Sequence, residues 1–452
     1  MALSGIQIYK LLPKTNCKEC GFPTCLAFAM KLAAKQIELS ACPHVSEEAS
    51  AELAESAAPP IRLITLTGNG HKVEVGNEVV LFRHEKTFYH KPGLFIRLSD
   101  ELPVAEIAAN VTRAANYSVN YVGRDLALDG FAIDATSGDL QRFAAAVAAV
   151  QSVGKYPLIL MSRDPAVLAA GLEEVSGESP LLYSADESNW EALAALAKEH
   201  KASLAVSAPT LDELAALTQK LQEAGVEDLV LDPAVRDFSH WLTASTQIRR
   251  LALKKNFRPL GYPVIAFAGE NNPEQGDAGR EVALAAQTIS KYAGLVVLDH
   301  FAPELVYPLL VLRENLYTDP QKPIQVQPGL YEINAPRPGD PLLVTTNFSI
   351  TYFSVANEVE GAGLPAWLLV ADAEGMSVLT AWAAGNFDAE RIAKDVKRFG
   401  VADKIDHQRI VIPGHVAVIS GELEEELPGW DVRVGPREAV DLPAYIKSVV
   451  LQ

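Results

Sequence analysis

Beyond residue 42 this chain has no cysteine; its four thiols are Cys17, Cys20, Cys25 and Cys42. That absence excludes a disulfide framework spread over the fold and thiols used as general core filler. Positive charge is also in short supply, with 39 Lys and Arg against 57 Asp and Glu and a net charge of −18. No basic stripe offsets it, which excludes nucleic acid as a partner, because phosphate binding needs clustered Lys and Arg. Long apolar runs are missing too: the longest are broken by charge or proline within about a dozen residues, short of a bilayer's span. The segment MALSGIQIYKLLPKTN before Cys17 has no apolar core of the kind a signal peptide needs. A soluble, cytoplasmic protein with no membrane association is expected, in a compartment where thiols stay reduced.

What is present begins with the cysteines themselves. Their spacing is C-x2-C-x4-C-x16-C, with Gly21 and Pro23 shaping the turn after the second and Pro43 directly after the fourth. Close-set thiolates joined by one distant Cys-Pro are typical of iron–sulfur ligation, and a four-iron four-sulfur cluster is expected at Cys17, Cys20, Cys25 and Cys42. Zinc is the rival, although structural zinc usually shows two C-x2-4-C knuckles and here the second has a single cysteine.

The chain is long enough for about three domains. We place a cysteine module at residues 1–58, a linker with a small β unit at 59–93, a barrel at 94–322 and a further α/β domain at 323–452. The stretch Ser46 to Pro60, rich in Ala, Glu and Ser, reads as a tether or a docked helical connector. Alternation around Gly68-Asn69-Gly70 predicts a hairpin.

From Leu94 onward eight solid apolar strands alternate with helices: Leu94 to Leu98, Phe131 to Asp134, Leu158 to Met161, Leu181 to Tyr183, Leu204 to Val206, Leu229 to Leu231, Val264 to Ala268 and Leu295 to Asp299. Their number and alternation match a closed parallel (β/α)8 TIM barrel, whose strands are buried on both sides. Polar residues fall at the strand ends: Asp134, Ser162, Arg163, Asp186, Ser207, Asp232, Glu270, Asn271, Asn272, Asp299 and His300. They could line a catalytic mouth, but they show no metal triad, nucleophile elbow or phosphate loop, and such residues commonly cap the next helix.

The last portion predicts an open doubly wound sheet of Rossmann or flavodoxin type, with strands over Pro341 to Asn347, Ala366 to Asp372, Arg409 to Ser420 and Trp430 to Gly435. Ligands of such sheets bind outside the carboxyl ends of the strands. The loops there carry hydroxyls, amides and glycines: Thr345 to Ser349, Ala371 to Ala373, Pro413-Gly414-His415 and Gly435-Pro436-Arg437.

The run NCKECGFPTC, the distant ACP, the barrel and the tail, in this order, resemble the large subunit of the corrinoid iron–sulfur protein of the anaerobic acetyl-CoA (Wood–Ljungdahl) pathway. The resemblance implies that the four cysteines hold a [4Fe-4S] cluster and that residues 323–452 bind a cobamide. It implies a carrier taking methyl from methyltetrahydrofolate, through a methyltransferase, onto Co(I) and delivering it to acetyl-CoA synthase. The cluster, charged by a low-potential donor such as ferredoxin, would return Co(II) to Co(I). A small subunit is implied as heterodimer partner. Such a chain does methyltransferase-type chemistry only within a multi-enzyme system.

Many corrinoid proteins ligate cobalt through the histidine of D-x-H-x-x-G, and this chain has no such run. That agrees with a base-off cobamide whose lower face lacks a histidine. Expected corrinoid contacts are Thr346, Asp372, Ala373, Thr380, Gly414 and Arg433, with Thr380 near the lower cobalt face or acting as an ordinary helix cap. His415 reads as a polar loop contact. Two other readings stay open: a TIM-barrel pterin-dependent methyltransferase with an accessory cluster, and a docking subunit with a zinc module.

Overall fold

The computed structural model describes residues 5–33, 37, 39–46, 49, 59–68, 70–121, 124–175, 177–269, 277–318 and 324–450. Most of the Ser46 to Pro60 stretch lies outside them, as do Glu270, Asn271 and Asn272. Two compact units result, the first of residues 1–118 and 127–317, the second of 119–126 and 318–452.

The first unit opens with two short helices, α1 (Gly5–Leu11) and α2 (Cys25–Ala33). Ile8, Leu12, Cys25, Phe28 and Ala29 are buried between them, with Cys20 and Cys42 packed against this small core. A hairpin of β1 (Ile64–Gly68) and β2 (His71–Val75) follows, at the predicted turn.

Eight strands then close a parallel barrel: β3 (Gly93–Ser99), β6 (Gly130–Asp134), β7 (Leu158–Met161), β8 (Leu181–Ala185), β9 (Ser203–Ser207), β10 (Leu229–Asp232), β11 (Val264–Phe267) and β12 (Ala293–Leu298). Each matches an expected strand to within two residues, because burial on both sides left an uninterrupted apolar run. Alternate residues fill the interior, among them Phe95, Ala132, Ile159, Ala205, Val230, Ile265 and Val297. The hairpin contributes Ile64, Leu66, Val73 and Val75 to that same core, so it plugs the end where the strands begin. Outside run α3 (Val104–Ala115), α4 (Leu140–Val153), α5 (Pro165–Glu173), α6 (Trp190–His200), α7 (Leu211–Glu223), α8 (Phe238–Lys255), α9 (Ala278–Ser290) and α10 (Pro303–Leu316). Side-chain oxygens of Asp139, Asp164, Thr210, Asp237 and Asp277 cap five of these helices.

Phe95 is fully buried, and its ring edge lies so close to Gly93 and Gly130 that a Cβ at either would stand 2.8 Å or 2.5 Å from it. Phe95→Ala empties that floor of the barrel and is expected to cost about 3–5 kcal/mol. Urea unfolding followed by circular dichroism measures it.

The second unit contains the hairpin strands β4 (Ser118–Tyr121, of which residues 119–121 fall in this unit) and β5 (Arg124–Ala127, residues 124–126), and a five-stranded sheet. The sheet's strands are β13 (Gly329–Ile333), β14 (Leu342–Thr346), β15 (Ala366–Ala371), β16 (Arg409–Ile412) and β17 (Asp431–Val434), in the order β13-β15-β14-β16-β17. Only β13 runs antiparallel. One face buries Leu343, Leu368, Val370 and Val411 under α11 (Ser349–Gly361). The other buries Val344, Leu369, Ile410 and Ile412 under α12 (Val378–Ala383), α13 (Ala389–Arg398) and α14 (Ser420–Glu426).

Three features depart from the sequence reading. The strand expected over Arg409 to Ser420 ends at Ile412, and Gly414–Ile419 is a 3-10 segment leading into α14. Pro413 has no N–H to continue a ladder, and Gly414 turns its own N–H to Pro436 O at 3.0 Å. The Pro-rich stretch before Pro341, where no strand is expected, holds the edge strand β13. The β4–β5 hairpin was also not foreseen.

Candidate functional site

Three places gather the residues singled out above, and each can be built from its own elements. The first is the cysteine module. Lys14, Asn16, Lys18 and Gly21 all take positive φ, so the chain curls tightly around Cys17 and Cys20. Gly21, at φ +82, does so without the steric cost of a side chain. The Lys18 carbonyl accepts from Gly21 N at 2.9 Å, and the Asn16 side chain accepts from Cys25 N at 2.8 Å. Thr24 accepts from Ala27 N at 3.0 Å at the start of α2, which puts Cys25 in the first turn.

All four cysteines are free: Cys25 buried, Cys20 and Cys42 half-buried, Cys17 exposed. Among the described residues, the ligating atoms that lie within 4.8 Å of one another belong to Cys17, Glu19 and His44, not to three of the thiols.

The second place is the mouth of the barrel, where the strand-end acids are consumed by ion pairs. Arg97 on β3 donates to Asp299 at 2.7 Å and to Asp134 at 3.4 Å. Asp232 is fully buried and accepts both Arg236 nitrogens at 2.9 Å, the Tyr183 hydroxyl at 2.7 Å and Ser207 at 3.1 Å. Arg236 in turn lies over the Phe267 ring. Glu281, also buried, holds His300 Nδ1 at 2.6 Å. Asp186 feels burial pushing its carboxyl up, but hydrogen bonds from Ser188 and the nearby Arg163 outweigh it and hold it below the usual range. Ser162 accepts from Asp164 N at 3.1 Å, and Arg163 is exposed. Hence the strand-end acids brace one another's strands through arginine, a role that spacing alone did not reveal.

Asp232→Ala strands the Arg236 charge in the barrel and is expected to cost about 3–5 kcal/mol. Thermal unfolding reads that loss, and metal content should be unmoved.

The third place is the second unit's sheet. From β14 the chain crosses through α11 over one face to β15, and from β15 through α12 and α13 over the other face to β16. The loops leaving β14 and β16 therefore diverge, and a crevice opens between their carboxyl ends, the usual ligand position in open α/β sheets. A cavity of about 760 Å³ occupies it. Its floor is Leu343 to Thr345 and Val411 to Pro413, and its walls are α11, Ser377 to Leu379, and the segment from Gly435 to Val440. The Thr345 and Thr346 hydroxyls are buried and have no hydrogen-bond partner. Around the opening Ile350 and Val440 are each 65% exposed, with Leu379 and Phe353 also open.

None of the six expected contacts lines this cavity: Thr346, Thr380 and Gly414 are each next in sequence to a lining residue, and Asp372, Ala373 and Arg433 are not brought to it. Gly414 lies between the lining residues Pro413 and His415, and Thr380 follows Leu379, its hydroxyl 3.0 Å from that of Ser377. Thr346 ends β14. Asp372 and Ala373 belong to the loop after β15, where Asn347 accepts from Ala373 N and Gly375 N at 2.9 Å each. Arg433 donates to Asp431 at 2.9 Å. Lining residues that sequence reasoning did not single out include Thr351, Ser354 and Glu358 on α11 and Ser377 just before α12; only strand order brings them together.

No helix among the described residues is long and apolar enough to cross a membrane. The model of the family described as CO dehydrogenase/acetyl-CoA synthase delta subunit matches residues 64–446, and that of a putative Fe-S cluster matches residues 12–44. The corrinoid/iron-sulfur protein large subunit of Moorella thermoacetica is 46% identical, with 99% of each chain covered. The acetyl-CoA decarbonylase/synthase complex subunit gamma of Methanopyrus kandleri is 36% identical over 99% of this chain and 98% of its own. That of Archaeoglobus fulgidus is 35% identical over 98% of each.

Proposed function

Since the chain belongs to the family of corrinoid/iron-sulfur protein large subunits and acetyl-CoA decarbonylase/synthase gamma subunits of the acetyl-CoA pathway, we propose that it is a methyl-group carrier. In this reading residues 323–452 grip a base-off cobamide, Cys17, Cys20, Cys25 and Cys42 hold a [4Fe-4S] cluster, and the barrel is a scaffold. When bound, the cobamide supplies a nucleophilic cobalt that receives and passes on a methyl group, and the cluster supplies single low-potential electrons.

The residues present fit both groups. Four cysteine thiols within 26 consecutive residues are the donor set that a cluster held by thiolates needs. Three of the four lie against apolar side chains that keep water away. In the tail, unpartnered buried threonine hydroxyls beside a 760 Å³ crevice suit a ligand edged with amides. This crevice, at the point where strand order reverses, is the observation that carries the reading.

The chain's own residues then bind, orient and shield. The backbone of Gly435 to Arg437 and the start of α12 form two walls, and Thr346, Asp372, Ala373, Thr380, Gly414 and Arg433 remain the proposed contacts around them. The open apolar rim of Ile350, Phe353, Leu379 and Val440 suits a cover supplied by the small subunit, leaving the reacting face enclosed between two proteins. A methyltransferase, acetyl-CoA synthase and a ferredoxin-like donor would be the partners in turn. The barrel mouth, its acids tied to Arg97 and Arg236, favours the scaffold over a pterin-dependent barrel enzyme.

Oxygen-free purification of the native complex tests the proposal. Iron together with stoichiometric cobalt, and sharp corrinoid bands above the broad cluster absorption, are expected. Turnover of methyltetrahydrofolate by protein free of cobalt would overturn it.

A further inference from the structure

On the wall of the crevice between β14 and β16, Arg437 is a cation without a task. It follows β17 and, among the described residues that line the cavity, it is the one Lys or Arg. The main chain on either side of its loop is fixed, because Gly414 N donates to Pro436 O at 3.0 Å and Gly435 N to Ile412 O at 2.9 Å. The guanidinium itself is exposed and has no ion pair or hydrogen-bond partner among the described residues. Two neighbouring arginines are already spent: Arg409 and Arg433 both reach Asp431, at 3.3 Å and 2.9 Å. Glu358 and Glu438 share the cavity wall, yet neither pairs with Arg437, and Glu438 faces His415 Nε2 at 4.0 Å instead. In a chain of net charge −18, an arginine left unpaired at a cavity is a vacancy for an anion from outside.

A guanidinium meets phosphate through two parallel N–H···O bonds, a fit that its planar fork provides and that an ammonium lacks. The rim of a corrin macrocycle carries carboxamides, which are neutral. Its nucleotide tail is joined through a phosphodiester, which holds one negative charge at neutral pH. The one cation of the cavity wall therefore matches the one fixed anion of a complete cobamide. Corrinoids that lack the tail offer it nothing, so the same contact discriminates between them.

We propose that Arg437 holds the phosphodiester of the nucleotide tail and thereby makes the crevice select complete cobamides over corrinoids without that tail. The inference rests on the reading that this crevice binds a cobamide. Arg437 is a specificity residue: it acts on a part of the cofactor that takes no part in methyl transfer. A residue that merely shaped the wall would treat all corrinoids alike.

The test uses the full chain in complex with its small subunit, produced without corrinoid and then loaded with cobalamin, cobinamide phosphate or cobinamide. Corrinoid absorption bands and cobalt retained after gel filtration read the affinity. Arg437→Ala should weaken cobalamin and cobinamide phosphate about tenfold, the loss of one charge-assisted pair open to solvent, and leave cobinamide at its native affinity. Arg437→Lys, which keeps the charge without the fork, should recover part of the loss. Added salt should weaken cobalamin binding more in the native complex than in Arg437→Ala. Equal loss for all three corrinoids overturns the proposal and assigns Arg437 to the shape of the wall. Native affinity for cobalamin in Arg437→Ala overturns it too, as does a loss seen with cobalamin and not with cobinamide phosphate, which would point to the ribose or base. A native complex that takes up none of the three sinks the cobamide reading itself, so the two failures are told apart.

Discussion

Cys42→Ser is expected to remove the [4Fe-4S]+ signal and most of the iron while leaving cobalt content at the native level. Cys42 is the remote member of the set, separated from Cys25 by α2 and the segment that follows it. It comes back to the others through the apolar contacts of Ile8, Phe28 and their neighbours, and its N–H donates to Leu39 O at 3.0 Å. Serine conserves that shape and that backbone bond but offers a hydroxyl, which is a poor replacement for a thiolate on iron. The cavity between β14 and β16 draws every lining residue from positions 343 to 442, so nothing on that wall changes. Iron and cobalt analysis, with resonance spectra of the reduced protein, reads both halves of the expectation. Methyl transfer that starts from chemically reduced protein should survive, and reactivation by a protein electron donor should fall to background. Loss of both metals together would mean that the module serves folding of the whole chain.

The contrast between what was legible and what was not follows from burial. The barrel strands were found because both of their faces are covered, so LILM and LAV read as unbroken apolar runs that no surface element imitates. The edge strand β13 has one fully buried residue, Ile333, in five, and the flanking prolines hid it. The β4–β5 hairpin, with Ser, Asn, Arg and Asp among its eight residues, carries almost no period-two signal. Strand-end polar residues were visible as a set, but Arg97 meets Asp299 across 202 positions of chain, and only closure of the barrel brings them into reach. The cysteine module needed no such closure, its four thiols lying within 26 consecutive residues, 17 to 42. The cavity falls in between: its Gly435-Pro436-Arg437 and Pro413-Gly414-His415 loops were named from turn chemistry, while the α11 residues that face them depend on the sheet order.

Gly414→Val is the complementary experiment, expected to empty the tail while sparing the cluster. A Cβ on Gly414 would stand 2.5 Å from Gly435 O, 2.8 Å from the Pro436 carbonyl carbon and 2.9 Å from Arg437 N. All three are main-chain atoms, so no side chain can rotate away. The two loops must part, breaking the bond from Gly414 N to Pro436 O and displacing the wall formed by Gly435 to Arg437. Overpacking of this kind costs about 1–3 kcal/mol, which, taken from cofactor affinity, is roughly five- to 150-fold. Cobalt retained after gel filtration should fall accordingly, with iron unchanged. Gly421 supplies the control: it lies seven residues on, in the first turn of α14, and a Cβ there meets nothing within 4 Å. Gly421→Ala should keep native cobalt and gain up to about 1 kcal/mol of stability from helix propensity. Native cobalt in Gly414→Val would show that the crevice between β14 and β16 is not where the macrocycle is held, and the cofactor would have to be sought away from the carboxyl ends of this sheet.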